Sequence, residues 1–267
     1  MTFLDQSEQQ LTDNPRFTIQ PCPYESKPTY GEGMKDGPQS ILSASQFLEH
    51  YDPRTETTPV EHGISQKKPL HSHEAIRNTT IDTHTFPVFL GGDHSITIPI
   101  MERQPSQTGA VVFDAHVDMR YKYHGDKHNH ACVTRHISAN HQTTVLGARS
   151  YDEDERRAIQ STDDVSMRQD LNVQSIDLPG TVHLSIDVDV LDPAVIHQTG
   201  TPEPNGASYS ELLQAVQTVF ENTTVASADI VEFAPDKGEP SRRRAESYTV
   251  AKLLHQILGI AVVTDNG

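Results

Sequence analysis

Hydrophobic residues along this chain fall into short apolar blocks, and the polar stretches between them repeatedly show the apolar spacing of helices. The blocks at 86–92 (FPVFLGG), 109–118 (GAVVFDAHVD), 143–150 (TTVLGARS), 181–193 (TVHLSIDVDVLDP) and 227–233 (SADIVEF) predict strands, with an earlier one at 16–19. Helices are expected from Pro38 onward, with Ile41, Leu42, Phe47 and Leu48 on the apolar face, and at 95–103, 131–138, 152–160 and 210–220. An amphipathic helix at 243–259 closes the chain, with Gly259 near its C-cap. Pro38 suits a first helical turn, where its missing N–H costs nothing. Residues 52–82 are polar and show neither period. Buried strands alternating with helices mean βαβ units, so the expected class is α/β with a mainly parallel sheet. No repeat or linker divides the chain. Residues 1–15 are polar and expected to be flexible, leaving one domain over 16–267.

Composition narrows the partners. The formal net charge of −16 argues against nucleic acid and anionic membranes, which select basic surfaces. It suits a small cationic substrate, which an acidic protein attracts over distance. The two cysteines, Cys22 and Cys132, form no CxxC, so neither a zinc ribbon nor a disulfide framework is indicated. The N-terminus lacks the basic and apolar regions of a signal peptide. No apolar stretch of about 18 residues is expected to cross a membrane. A reducing cytoplasm is the simplest setting.

Three apolar strands end in charged residues, at the edge where open parallel sheets bind ligands. Gly91-Gly92-Asp93-His94-Ser95 allows a sharp turn, with Asp93 or Ser95 capping the next helix and His94 projecting from it. In Asp114-Ala115-His116-Val117-Asp118 the polar residues recur at every second position and so face one way in extended backbone. In Ser185-Ile186-Asp187-Val188-Asp189, the two aspartates share one face and the apolar residues the other. Buried neighbouring carboxylates need a compensating charge. Two imidazoles and four carboxylates, from His94, Asp114, His116, Asp118, Asp187 and Asp189, form an oxygen-rich set that favours Mn²⁺ over Zn²⁺. Six such groups fit two ions about 3.5 Å apart better than one.

GGDHS, DAHVD and SIDVDVLDP, in this order, resemble the three signatures of the arginase–agmatinase ureohydrolases, and the resemblance runs from about Pro23 to the final helix. It implies a three-layer α/β/α sandwich around an eight-stranded, mainly parallel sheet. It implies two Mn²⁺ per subunit, one held by His94, Asp114, Asp118 and Asp187 and the other by His116, Asp114, Asp187 and Asp189. His130 stands where the family has a proton-shuttling histidine, and Glu232 where it has the acid that grips the guanidinium. Thr201, in the TPEP stretch, falls with the substrate-binding residues, and Asp189 with the proton-relaying ones. The implied reaction is hydrolysis of agmatine to putrescine and urea, in a homo-oligomer (trimer or hexamer). The segments 23–45 and 199–204 and the HACVTRHI stretch resemble agmatinases; arginases instead have an Asn soon after DAHxD and then GNxHG. N1-aminopropylagmatine and other guanidino compounds (guanidinobutyrate, arginine) remain open as substrates, as do formimidoylglutamase activity and a non-catalytic polyamine-binding role. Gln198, Asn205 and the basic segment 122–128 depart from the agmatinase pattern.

Overall fold

The computed structural model describes residues 2–5, 14–80, 82, 84–236 and 240–264. Its strands are β1 (Phe17–Cys22), β2 (Ile64–Gln66), β3 (Phe86–Gly91), β4 (Gly109–Phe113), β5 (Thr143–Leu146), β6 (Val165–Arg168), β7 (Thr181–Asp187) and β8 (Thr224–Val231). They form one sheet in the order β2-β1-β3-β8-β7-β4-β5-β6, with every pairing parallel. The helices are α1 (Gly37–Ser45), α2 (His73–Asn78), α3 (Thr97–Met101), α4 (Val133–Ile137), α5 (Glu153–Gln160), α6 (Tyr209–Asn222) and α7 (Pro240–Thr264).

Strand β4 shows how the sheet is covered. Val111 and Phe113 join a buried cluster that holds Ile41 of α1, Leu212 and Val216 of α6, and Leu254, Ile257 and Leu258 of α7. Ala110 and Val112 face the other way, toward Ile98 and Met101 of α3 and Val133 and Ile137 of α4. A central parallel strand buries both faces, which is why these blocks read as unbroken apolar runs. The fold is the expected three-layer sandwich around an eight-stranded sheet.

Several local expectations are corrected. The patternless segment 52–82 contains β2 and α2, and β6 had no apolar block of its own. β2 and β6 are the two edge strands, each short and covered less completely, so neither needs a hydrophobic run. Phe47, assigned to the buried face of the first helix, is 78% exposed, because α1 ends at Ser45. Gly259 is no C-cap: α7 runs on to Thr264, and Gly259 lets the helix approach Thr55, whose Oγ1 would lie 2.5 Å from an added Cβ. Of the N-terminal segment expected to be flexible, residues 6–13 lie outside the described residues, but Phe3 and Leu4 are buried in the core, with Leu4 N–H donating to Ser45 Oγ at 3.1 Å. One stretch, Ala245–Thr264, is after all long and apolar enough to cross a membrane, but 72% of it is buried inside the fold. Its partners are α1 and α6, so it is a core helix. Asp52, in the unassigned segment, is fully buried and accepts hydrogen bonds from Lys252 and Gln256 of that helix, each at 3.0 Å.

Candidate metal centre

Four adjacent strands, β3, β8, β7 and β4, run in parallel at the centre of the sheet. Each releases one acid-bearing turn at the same edge. After β3, Gly92 passes so close to the backbone of Tyr24 that a Cβ would sit 1.8 Å from the Tyr24 carbonyl oxygen. Asp93 caps the following 3₁₀ turn by accepting from Ser95 N–H (3.0 Å) and is tied to the Tyr24 loop through Ser26 N–H (2.6 Å). This holds His94, fully buried, pointing inward.

Strand β4 ends at Phe113, and beyond it His116 makes an isolated parallel bridge with Ser150. The expected every-second-residue alternation is broken at its last member. Asp118 adopts φ 51°, a left-handed conformation rare for a non-glycine residue, and its neighbour Met119 N–H donates to Glu155 Oε1 at 3.1 Å. β7 likewise ends at Asp187, and Asp189 sits in the 3₁₀ turn Val188–Val190. Ile186, Val188 and Val190 are all fully buried. Asp189 N–H donates to Asp187 Oδ1 (2.9 Å), and Ala115 N–H to Asp189 Oδ1 (3.0 Å), which fastens the β7 turn to the β4 turn.

Five of the six anticipated side chains form two groups that share Asp114, His94–Asp114–Asp118 and Asp114–His116–Asp189, and Asp187 lies beside the first. His94 Nδ1 lies 3.1 Å from Asp114 Oδ2, 3.2 Å from Asp118 Oδ2 and 3.5 Å from Asp187 Oδ2. His116 Nδ1 lies 2.9 Å from Asp189 Oδ2 and 3.6 Å from Asp114 Oδ1. With protons as the only cations, burial and the repulsion of Asp189 and Asp114 hold the Asp187 carboxyl well above its ordinary range. Burial and Asp114 push Asp118 up to about 7. Burial opposes charge on His116, yet Asp189 and Asp114 carry it up to about 12.

A divalent cation fits this donor set. His94 Nδ1 is buried and makes no hydrogen bond, although three carboxylate oxygens surround it. Donor atoms around an octahedral ion with bonds of about 2.1 Å stand about 3 Å apart, the spacing found here. Asp114 offers one oxygen to each histidine, as a carboxylate shared by two ions would.

The centre lies at the base of a cleft of about 320 Å³, lined in part by His116, His130, Thr201 and Glu232. Glu232 directly follows β8 and has φ 65°. Its Oε1 accepts from His94 N–H at 2.7 Å, and its own N–H donates to Gly92 O at 2.8 Å. Left-handed backbone at Asp118 and Glu232 places strain at the cleft, as at many functional sites. His130 hydrogen-bonds Thr29 Oγ1 through Nε2 (2.8 Å), and its buried Nδ1 has no partner. Burial, then the positive charge on His94 and His116, brings His130 down to about 4.

The scaffolding of the cleft left little trace in the sequence. Arg149 donates to the carbonyls of Asp189 (2.8 Å), Glu203 (2.9 Å) and Pro204 (3.0 Å), strapping the 203–204 loop to the β7 turn. Its only sequence signal was a basic residue near the end of a predicted strand block. Thr29 and Tyr123 also line the cleft, beside Arg120, which pairs with Asp152 at 2.8 Å. Asn205, replacing a usual glycine, has φ 62°, which asparagine tolerates better than most residues. Gln198 Oε1 accepts from Asp236 N–H at 2.8 Å.

The sequence matches the Arginase family over residues 15–259. The chain belongs to the arginase family. Like the other ureohydrolases its motifs resemble, it is a hydrolase. It is 31% identical to an agmatinase of Pyrococcus horikoshii, over 92% of each chain. It is also 31% identical to an N(1)-aminopropylagmatine ureohydrolase of Thermococcus kodakarensis, covering 91% of this chain and 90% of that one. The crystal structure of an agmatine ureohydrolase from Thermoplasma volcanium superposes with a TM-score of 0.78 at 27% identity, covering 92% of this arginase-family chain and 90% of the other. The resemblance read from the three motifs is borne out.

Proposed function

We propose that this chain hydrolyses the guanidinium group of agmatine, yielding putrescine and urea, with two Mn²⁺ ions bound. The supporting observation is the pair of inward-facing histidine nitrogens sharing the Asp114 carboxylate. One ion would be held by His94, Asp114, Asp118 and Asp187, the other by His116, Asp114, Asp187 and Asp189. Bound there, the ions would acidify a water so that hydroxide forms near neutral pH.

The protein supplies the rest. Glu232 is buried at the cleft, where burial and then Asp93 raise its carboxyl well above the ordinary range. An incoming guanidinium replaces the missing positive charge, and Glu232 pairs with it and turns its carbon toward the centre. Asp189 takes up the proton released on attack. His130, neutral near pH 7, accepts that proton and passes it to the leaving amine. Thr29 holds the His130 ring through Nε2, and Thr201 borders the substrate. The net charge of −16 draws the cationic substrate in.

The likeness to an N(1)-aminopropylagmatine ureohydrolase at 31% identity favours a second reading, in which the amine carries an aminopropyl extension. The enzyme is proposed to act in the cytoplasm as a homo-oligomer. Urea release from agmatine, N1-aminopropylagmatine, arginine and 4-guanidinobutyrate, each with Mn²⁺, tests this. Agmatine is expected to have the highest kcat/KM. A preference for the aminopropyl substrate establishes the second reading, and silence on all four refutes both.

A further inference from the structure

We propose that Ser185 and Asp229 are positioning residues for metal binding: a buried chain of hydrogen bonds, Asp229–Ser185–His94, fixes the tautomer of His94 so that Nδ1 presents its lone pair to one of the two ions. This rests on the metal centre described under the proposed function.

The direction of each bond follows from counting protons. Ser185 Oγ donates to Asp229 Oδ1 at 2.6 Å. A hydroxyl has one proton to give, so toward His94 Nε2, 3.0 Å away, Ser185 can only accept. Nε2 therefore carries the imidazole proton. In neutral His94 the lone pair then lies on Nδ1, the nitrogen enclosed by Asp114, Asp118 and Asp187. Asp229 is held in turn: its Oδ2 accepts from Thr97 Oγ1 at 2.7 Å and faces His183 Nε2 at 2.9 Å. Ser227 Oγ lies 2.7 Å from His183 Nδ1, and Gln104 Nε2 donates to Ser227 at 3.3 Å. With His183 neutral and Nε2–H donating to Asp229, Ser227 donates to Nδ1 and accepts from Gln104, so the chain Gln104–Ser227–His183–Asp229 is consistently paired.

Thr97, His183, Ser185, Ser227 and Asp229 are all buried. In the β7–β8 register His183 lies beside Ser227, and Ser185 beside Asp229. His183, Ser185 and Asp187 occupy every second position of β7, so they share one face, and the ladder leads straight to the centre. Alternate residues Val182, Leu184 and Ile186 belong to the apolar core. Burying an imidazole and a carboxylate in the middle of a sheet costs desolvation, and apolar residues commonly fill such positions at least as well. The ladder ends on a metal-facing imidazole, where outer hydrogen bonds tune affinity. His116 is supported differently, by Glu203 Oε1 at 3.7 Å from its Nε2, on a partly exposed rim. The relay thus serves one ion only.

The test is Mn²⁺ titration of metal-free wild type and Ser185→Ala, read by calorimetry and by metal analysis after dialysis. Wild type is expected to bind two ions. Ser185→Ala is expected to bind one of them about 10–100-fold more weakly, with the other unchanged and the metal-free Tm near wild type. Two ions bound with wild-type affinity, or both weakened alike, overturn the relay alone. A wild type that binds no Mn²⁺ overturns the centre and the relay with it. If Ser185→Ala does not fold, histidine ¹⁵N NMR of the Zn²⁺-loaded wild type decides. A slowly exchanging Nε2–H on His94 supports the relay, and a freely exchanging one overturns it.

Discussion

Asp114 divides its carboxylate between two histidines, Oδ2 at 3.1 Å from His94 Nδ1 and Oδ1 at 3.6 Å from His116 Nδ1. Its Oδ1 also accepts from the His116 backbone N–H at 2.6 Å. Asp114→Asn keeps the shape but removes the charge that both halves share. It is expected to abolish urea release and to leave fewer than two Mn²⁺ per chain, as measured by metal analysis. Two tightly bound ions and an intact rate in that variant would remove Asp114 from the centre. His130 lines the cleft but is not part of either donor group. His130→Ala should therefore keep its metal while kcat falls by roughly 10²–10⁴-fold, the usual contribution of a proton-transferring side chain. Loss of metal together with rate would instead give His130 a structural part.

Turns between elements set the precision of the site. The β3 turn is pressed against the Tyr24 loop at Gly92, where a side chain would overlap the Tyr24 carbonyl. The same turn is held from the other side by Glu232 N–H, which donates to Gly92 O at 2.8 Å. Gly92→Ala must push these two backbones apart, at a cost of about 1–3 kcal/mol if it folds. At about 2–4 °C per kcal/mol for a chain near this size, a melting scan should show a clear drop, and Mn²⁺ affinity should fall with it because His94 moves. An unchanged Tm would mean the turn has room that the geometry denies. Helix α5 serves the β4 turn in a similar way. Its capping box joins Asp152 and Glu155, and Glu155 also receives Met119 N–H, so the helix start anchors the left-handed backbone at Asp118.

Across the whole molecule, the central strands carry the candidate ligands at one edge of the sheet, and α7 packs against α1 and α6. Metal binding couples to folding because the unfolded chain cannot assemble six groups from three distant segments. Mn²⁺ at about a hundred times its Kd should stabilise the fold by about 2.7 kcal/mol, raising Tm by several degrees, and a chelator should reverse the shift. No shift with Mn²⁺ would contradict specific binding. Acid acts elsewhere. His255, buried on α7, is brought from 6.5 to about 4 by burial and then by Lys252. As pH falls from 6.5 toward 4, the unfolded state takes up a proton that the native state refuses, so stability falls. Melting scans of metal-free protein at pH 7, 6 and 5 should show Tm decreasing, and His255→Gln should flatten that slope. An equal slope in both proteins would assign the acid sensitivity to other groups.

Local pattern alone determined much of this protein. Apolar blocks marked the six inner strands, and the charged residues ending three of them include all six side chains that meet at the candidate metal centre. Those features depend on neighbours a few residues apart, where side-chain alternation and turn chemistry act. Tertiary structure decided the rest. Edge strands β2 and β6 carry no apolar block because their pairing, not their composition, makes them strands. Convergence at Asp118 and Asp189 comes from a left-handed residue and a 3₁₀ turn rather than from extended alternation. Glu232 reaches His94 across 138 residues of sequence, and the Ser185–Asp229 relay exists only because β7 and β8 lie side by side in register. Parallel pairing joins segments that are remote along the chain, so the contacts it creates leave no periodic trace in either segment.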